Sequence, residues 1–547
     1  MERFKFDTLG IHERLRNNDV PLDTEAIRNS IDIAQTCLDT LQNQRLQLQN
    51  QLLLLDSETR SLSSYIPQCS SLLAPIRRLP VDILRMIFLD PTAHEPRPNH
   101  ETDWLPSYYP SIPHHWQYKP NKIGAVCYHW RCVTLEMPIL WSGITVFFNR
   151  PRPYSNSIDR LRIALQRSQN ALLNIAFRTG DRLGYKPWSP HDDEMMLEVL
   201  QHAERWATMD LPMEQNFLLQ LSPAQGRLEA LHSLTVRYSH SFDSTQTAVL
   251  SIAPRLRTLT IRGWAYKNML PSLPWCQVTR LYLDSAIDSP NLWQHILSQA
   301  QDLRDLSLHI GHVREAPYVA IVSPHLENFF LFGPSYDLAH EIEILHRITA
   351  PALNHLHVVN LKFWDTPPML GFIKRSGFSL QTLVFYRVPV RGIDLIPILR
   401  AVPTVQNLLL EDLIPNAITN SVMEALTANP ATAETLLPAM STFVLVGAYL
   451  FGQGNLLTML ESRLTLPNLL SLLTNVEISL PKLAMSPVAL RRLDAMCLAT
   501  TSFRFAGIDQ NQRTAVVKYG DDAPHIASIR EQGRKAKEME FSYRKAR

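Results

Sequence analysis

Nine times between Trp206 and Leu410 the chain repeats one apolar pattern, two hydrophobic residues three apart and a third two further on. The units are Trp206/Met209/Leu211, Leu231/Leu234/Val236, Leu256/Leu259/Ile261, Val278/Leu281/Leu283, Leu303/Leu306/Leu308, Leu326/Phe329/Leu331, Leu353/Leu356/Val358, Leu380/Leu383/Phe385 and Val405/Leu408/Leu410. The alternation in the second half of each unit predicts a short strand with one face buried. Successive units start 25, 25, 22, 25, 23, 27, 27 and 25 residues apart, so each strand needs a return segment of similar length. Residues 22 to 66 carry a different pattern, with no Pro or Gly and apolar positions alternating by four and three: Ile27, Ile31, Ala34, Leu38, Leu41, Arg45, Leu48, Leu52, Leu55, Thr59, Leu62 and Ile66. A period of 3.5 held over this length predicts a coiled-coil helix over residues 22–68.

The repeat length lies in the ~20 to 29 residue range of leucine-rich repeats, whose unit is a strand and a returning helix. Pro254, Pro324, Pro351, Pro403 and Pro438 each stand two residues before the first apolar position of a unit, where proline stops a helix and feeds an extended segment. Looser copies at Leu172/Ile175/Phe177, Met440/Phe443/Leu445, Leu473/Val476/Ile478 and Thr500/Phe503/Phe505 extend the predicted solenoid to residues 165–510. An Asn three residues after the sixth position is absent; Ser239, Trp264, Ala286, Gly311 and Pro334 stand there, so the turns must be satisfied in another way and the curvature should be irregular.

Two further apolar blocks lie between the heptads and the repeats. Leu79-Pro80-Val81-Asp82-Ile83-Leu84-Arg85-Met86-Ile87-Phe88 places Ile83, Leu84, Ile87 and Phe88 on one side of a short helix, with Pro80 at its start. Val126, Trp130, Val133 and Met137 recur at helical spacing in the second block, which Pro138 ends. The ordered set of Leu-Pro, Ile-Phe, Val126-Cys127-x-x-Trp130-Arg131 and a closing Leu140-Trp141 resembles the two halves of an F-box, and the run from Leu72 to Pro80 is similar to the F-box-like families of mushroom-forming fungi. The resemblance covers residues 73–143. It departs from the family in a stretch of about 90–121 rich in Pro, His, Tyr and Trp, longer than the usual connection.

The resemblance implies docking to a Skp-type adaptor, and through it a cullin, with Leu79, Pro80, Ile83, Leu84, Ile87, Phe88, Val126, Cys127 and Trp130 as the adaptor-contacting or motif-forming set. The repeat would then hold an unidentified target protein. Residues between the buried strand positions predict one continuous face, including Thr235, Thr260, Ser307, Phe330, Val384, Leu409 and Glu411, with Arg237, Arg262, Tyr282, His309, Phe332, His357 and Tyr386 as the collective target-binding set. In the heptad helix Arg45 and Thr59 interrupt the seam, and its flanks (Gln35, Gln42, Gln44, Gln49, Gln51) choose no partner by ion pairing. Parallel homodimer, antiparallel dimer and a hairpin on the chain's own F-box are all open.

Charge and chemistry narrow the function class. The 547 residues hold 53 Lys plus Arg against 51 Asp plus Glu, a balance with no footprint for nucleic acid or anionic lipid. Six cysteines show no CxxC pairing, the first residues are charged, and the apolar run near Phe443 to Phe451 is short of the ~20 residues of a membrane span. Cytoplasm or nucleus is therefore expected. Cys127, His129 and Cys132, with His114 and His115 nearby, match no metal-ligand spacing. His191-Asp192-Asp193-Glu194 reads as a helix start at Asp192 or Asp193, and Gly452-Gln453-Gly454 is too short to cradle a nucleotide. No catalytic residue, metal or cofactor is expected, and residues 525–547 read as a charged tail.

The fold expected is α/β, with a coiled-coil helix, a small all-α F-box-like module and an irregular leucine-rich-repeat solenoid. The function expected is the non-enzymatic substrate receptor of an SCF-type ubiquitin ligase; the alternative is a protein-protein scaffold without ligase function.

Overall fold

The computed structural model describes residues 15–16, 24–89, 119–148, 157–179, 189–238, 248–263, 272–284, 290–309, 320–333, 343–428, 435–465, 472–497, 502–509 and 515–519. The charged tail, His114, His115 and most of the 90–121 stretch lie outside them. The chain is α/β and divides into two compact units, Met1–Ile87 and Phe88–Arg547.

The first unit is dominated by α1 (Thr24–Leu73), a helix of 50 residues with no buried residue. The helix runs past residue 68 to Leu73, continuing through Pro67, which removes one intrahelical donor. The side chain of Arg77, in the 3-10 turn Pro75–Arg78, closes the end by donating from Nε to the Ser71 carbonyl at 2.6 Å. Helix α2 (Val81–Leu89) follows, and Pro80 accepts its first bond, from Leu84 N–H, at 3.1 Å.

In the second unit, α3 (Lys119–Gly124) and α4 (Tyr128–Leu135) lead into a 3-10 turn at Pro138–Trp141. The sheet begins two residues later with β1 (Gly143–Phe148), well before the predicted start at 165. Then come α5 (Ser157–Arg167), β2 (Leu173–Thr179), α6 (Pro190–Leu200), β3 (Trp206–Met213), α7 (Gln215–Leu221), β4 (Ser233–Tyr238), β5 (Thr258–Arg262), β6 (Arg280–Asp284), α8 (Pro290–Gln299) and β7 (Asp305–His309). The two-residue strands β8 (Ile321–Val322) and β10 (Ile348–Thr349) pair apart from the main sheet, on either side of β9 (Asn328–Phe332). The rest is β11 (His355–Val359), α9 (Thr366–Ser376), β12 (Thr382–Tyr386), α10 (Gly392–Ala401), β13 (Asn407–Glu411), α11 (Asn420–Leu426), β14 (Thr442–Val446), α12 (Gln453–Thr465), β15 (Asn475–Met485), α13 (Pro487–Cys497), β16 (Ser502–Asp509) and β17 (Ala515–Tyr519).

Among the described residues fifteen strands form one sheet whose spatial order is the order of the chain, parallel throughout except for the last pair, β16 with β17. Parallel neighbours demand a return between them, which is why the 22 to 27 residue spacing could be read from the sequence. Each of the nine units puts its fourth and sixth positions in a strand: Leu259 and Ile261, Phe329 and Leu331, Leu383 and Phe385 are all buried in one core. The registers align these positions from strand to strand, Leu259 beside Leu281 and Leu383 beside Leu408. In the looser copy at β2 the first position is wrong: Leu172 is exposed, and Leu173, Ile175 and Phe177 point inward.

The missing Asn is replaced by a different device, one residue earlier. Gly263, Asn360, Arg387, Asp412 and Gly447 follow the last residue of β5, β11, β12, β13 and β14, and all have positive φ (84°, 57°, 50°, 49° and 142°). Glycine adopts this conformation freely, and Asn and Asp more readily than most residues. The turn lets the chain leave the sheet while its N–H extends the ladder, from Asn360 to Tyr386 O (2.7 Å), Arg387 to Glu411 O (3.0 Å) and Asp412 to Val446 O (2.8 Å). At Gly263 a side chain would also collide with the Tyr238 carbonyl.

Helix starts explain the carboxylate run. Ser189, not Asp192 or Asp193, caps α6: its hydroxyl accepts from Asp192 N–H at 3.2 Å, and Asp192 Oδ2 accepts from Ser189 N–H at 3.0 Å. Glu194 and Glu198 bind Arg162 of α5 at 2.9 and 2.8 Å.

Candidate functional site

Phe88, which ends the first apolar block, lies against Trp130 of the second. The rings of Phe88 and Trp130 stand edge to face with centroids 4.9 Å apart, although 41 residues separate them in sequence. Phe88 and Leu84 are buried, while Ile83 is 41 % and Val126 61 % exposed. Pro80 is exposed, and Leu79, Ile87, Cys127 and Trp130 are partly buried. The candidate set therefore divides into an internal pair and an outward group, which Ile76, Met86, Tyr128 and Ile139 enlarge. Val126 does not join the buried face of α4 as its spacing predicted; it lies in the turn before the helix, and only Val133 and Met137 of that series are buried.

Trp141 links α4 to α5 of the sheet unit. Its indole N–H donates to the Thr134 carbonyl at 2.9 Å, and the Arg167 guanidinium of α5 lies 4.4 Å from its ring centroid. Trp141, Ile144 and Val146 repeat the apolar unit of the later strands, and the second two are buried in the same core. This signal identifies β1, and it went unread because Trp141 also closes the F-box-like block.

The predicted target face is far less open than its sequence suggests. Its positions do stand together on one side of the sheet: Thr235, Thr260, Tyr282, Ser307, Phe330, His357, Val384 and Leu409 pair in sequence across β4 to β13, with Arg237, Arg262, His309, Phe332, Tyr386 and Glu411 two residues further along their strands. Yet Phe332, His357 and Tyr386 are each only 3 % exposed, and Arg237, Arg262, Tyr282 and His309 are partly buried. Thr235, Thr260, Ser307, Val384, Leu409 and Glu411 are buried as well. Two apolar clusters occupy this side, Phe332 with Val359 and Tyr386, and Val384 with Leu409 and Val444.

Several polar groups there are engaged with their neighbours. Asp210 of β3 is buried and accepts from Arg178 and Arg237, each at 2.7 Å, and Arg237 also donates to the Phe177 carbonyl. Burial pushes the Arg237 guanidinium down to about 10, against the pull of Asp210. His309 stacks on Phe332 at 4.5 Å and His357 on Phe330 at 4.4 Å. Burial, with His355 nearby, lowers His357 to about 3, so the imidazole is neutral at physiological pH.

Among the described residues no group of three or more His, Cys, Asp and Glu side chains is gathered as a metal site would require, and no helix is long and apolar enough to cross a membrane. No protein-family model matches the chain, and no curated protein matches it.

Proposed function

We propose that this chain is a non-enzymatic substrate receptor of an SCF-type ubiquitin ligase, with the F-box-like segment docking to a Skp-type adaptor and a leucine-rich-repeat solenoid holding the target. The observation that carries the reading is the contact of Phe88, the last residue of the first motif half, with Trp130 of the second, together with the exposure of Ile83 and Val126. Exposed apolar side chains on short helices are what a helix-binding groove of an adaptor would cover. The absence of a linker between Trp141 and β1 suits a receptor, because the bound target would be held at a fixed reach from the ubiquitin-loaded enzyme, and catalysis would be supplied by proximity. Of the target set, Arg237, Arg262, Tyr282 and His309 retain some accessible surface, so contact with a target would begin at the β4 to β7 part of the face.

One observation favours the scaffold reading: Phe332, His357 and Tyr386 are closed off, which leaves the sheet less surface for a target. Co-purification with a Skp-type adaptor separates the two. The receptor reading expects a stoichiometric complex that Ile83→Asp with Val126→Asp abolishes. A folded wild-type chain that ignores the adaptor would leave the scaffold.

A further inference from the structure

Among the described residues, a long run of exposed apolar side chains lies on α1. From Ile31 to Ile66 the eight leucine and isoleucine residues of the heptad seam are between 49 and 62 % exposed, and no residue of α1 is buried. Helices draw most of their stability from packing an apolar face. We infer that α1 is a self-association element that pairs with α1 of a second copy in antiparallel orientation, centred between residues 46 and 47.

The occupant and its direction follow from the two flaws in the seam. In a parallel, in-register pair each residue meets its own copy, so Arg45 would oppose Arg45 and Thr59 would oppose Thr59 in the core. In an antiparallel pair the a positions pack on d positions. A dyad between residues 46 and 47 keeps the whole seam in register, setting Arg45 against Leu48, Thr59 against Ala34 and Leu41 against Leu52. The two guanidiniums are then staggered about the centre, where their stems can lie along leucines and their heads reach water. The small Ala34 leaves room for Thr59, and the seam is thus its own complement, as a two-fold interface requires. The uncharged glutamines at the flanks oppose no like charge in this arrangement.

The area suffices. At roughly 100 Å² of exposed apolar surface for each of the eight side chains, a pair of helices buries on the order of 1,600 Å², the size of a stable specific interface. Leu46 and Leu53, one position outside the seam and also exposed, widen the contact on one side.

The test uses the full chain. Its mass in solution is expected at twice 62.5 kDa, returning to 62.5 kDa in the variant Leu41→Asp with Leu52→Asp. An unchanged thermal transition of the sheet unit in that variant separates lost association from misfolding. Orientation is read with a short bismaleimide in a Glu58→Cys variant: the antiparallel pair brings Cys37 of one copy beside position 58 of the other, while within one helix the two are about 31 Å apart at ~1.5 Å per residue. Peptide mapping should find residue 37 joined to residue 58. A monomer, a mass above the dimer, a dimer that survives the double substitution, or a link joining Cys37 to its own copy would each overturn the inference.

Discussion

The seam of α1 and the strands of the sheet use the same residue types in opposite circumstances. Leu38, Leu48 and Leu55 face solvent over more than half their surface, whereas Leu259, Leu383 and Leu408 have none exposed. Even the second side of the sheet, which the strand alternation assigns to solvent, is closed at Val384, Leu409 and Val444. Apolar surface that the chain does not bury is a debt for a partner to settle. Among the described residues its longest run is on α1, and Ile83, Met86, Val126, Tyr128 and Ile139 add a second group. The sheet provides the stable body.

Truncating each region should separate these roles most sharply. Phe385→Ala removes a fully buried ring that meets Trp364 at 5.4 Å, and should cost about 3 to 5 kcal/mol in urea unfolding of the sheet. Leu48→Ala should leave that transition within about 0.5 kcal/mol. Equal losses would erase the distinction.

The next largest effect is expected at Arg463, a fully buried cation. It donates to the carbonyls of Leu426 at 2.7 and 2.9 Å and of Leu437 at 2.7 Å, and also to that of Leu436, tying α11 and the following segment to α12. Arg463→Met keeps the bulk and strands these acceptors, which should lower stability by about 3 kcal/mol. A neutral outcome would mean that water replaces the guanidinium there. A smaller loss, about 2 kcal/mol, is expected for Gly263→Ala from its positive φ and the Tyr238 carbonyl, again read by urea unfolding.

His357 gives the sheet a pH dependence. Its folded pKa is depressed to about 3 against an unfolded value near 6.5, so below pH 6.5 the unfolded chain takes up a proton that the folded chain refuses. Its contribution is intact above that value and is lost on acidification towards pH 3, at about 1.4 kcal/mol per pH unit. His357→Gln should therefore flatten the fall in unfolding free energy between pH 7.5 and 5.5. An unchanged slope would show that His357 does not carry it.

What could be read from the sequence was whatever a local period dictates. Units such as Leu256/Leu259/Ile261 located their strands because burial of alternate residues leaves a period-two mark, and Pro254 or Pro403 marked the entry. The positive-φ turns also carry a mark in the sequence that the apolar pattern does not point to: Gly263, Asn360, Asp412 and Gly447 each stand two residues after the sixth position. Strand β17 carries no such unit and was missed. The accessibility of the far face could not be read, because the burial of His357 or Tyr386 depends on packing from outside its own strand. For the adaptor set, helical spacing grouped Val126 with Val133, yet the turn before α4 turns Val126 outward.

Hydrogen exchange of the chain, alone and with a Skp-type adaptor, tests most directly whether the N-terminal region is the docking end. The account predicts new protection within residues 76–89 and 126–139, with exchange in β4 to β13 unchanged. Protection confined to those strands, or none anywhere, would contradict it.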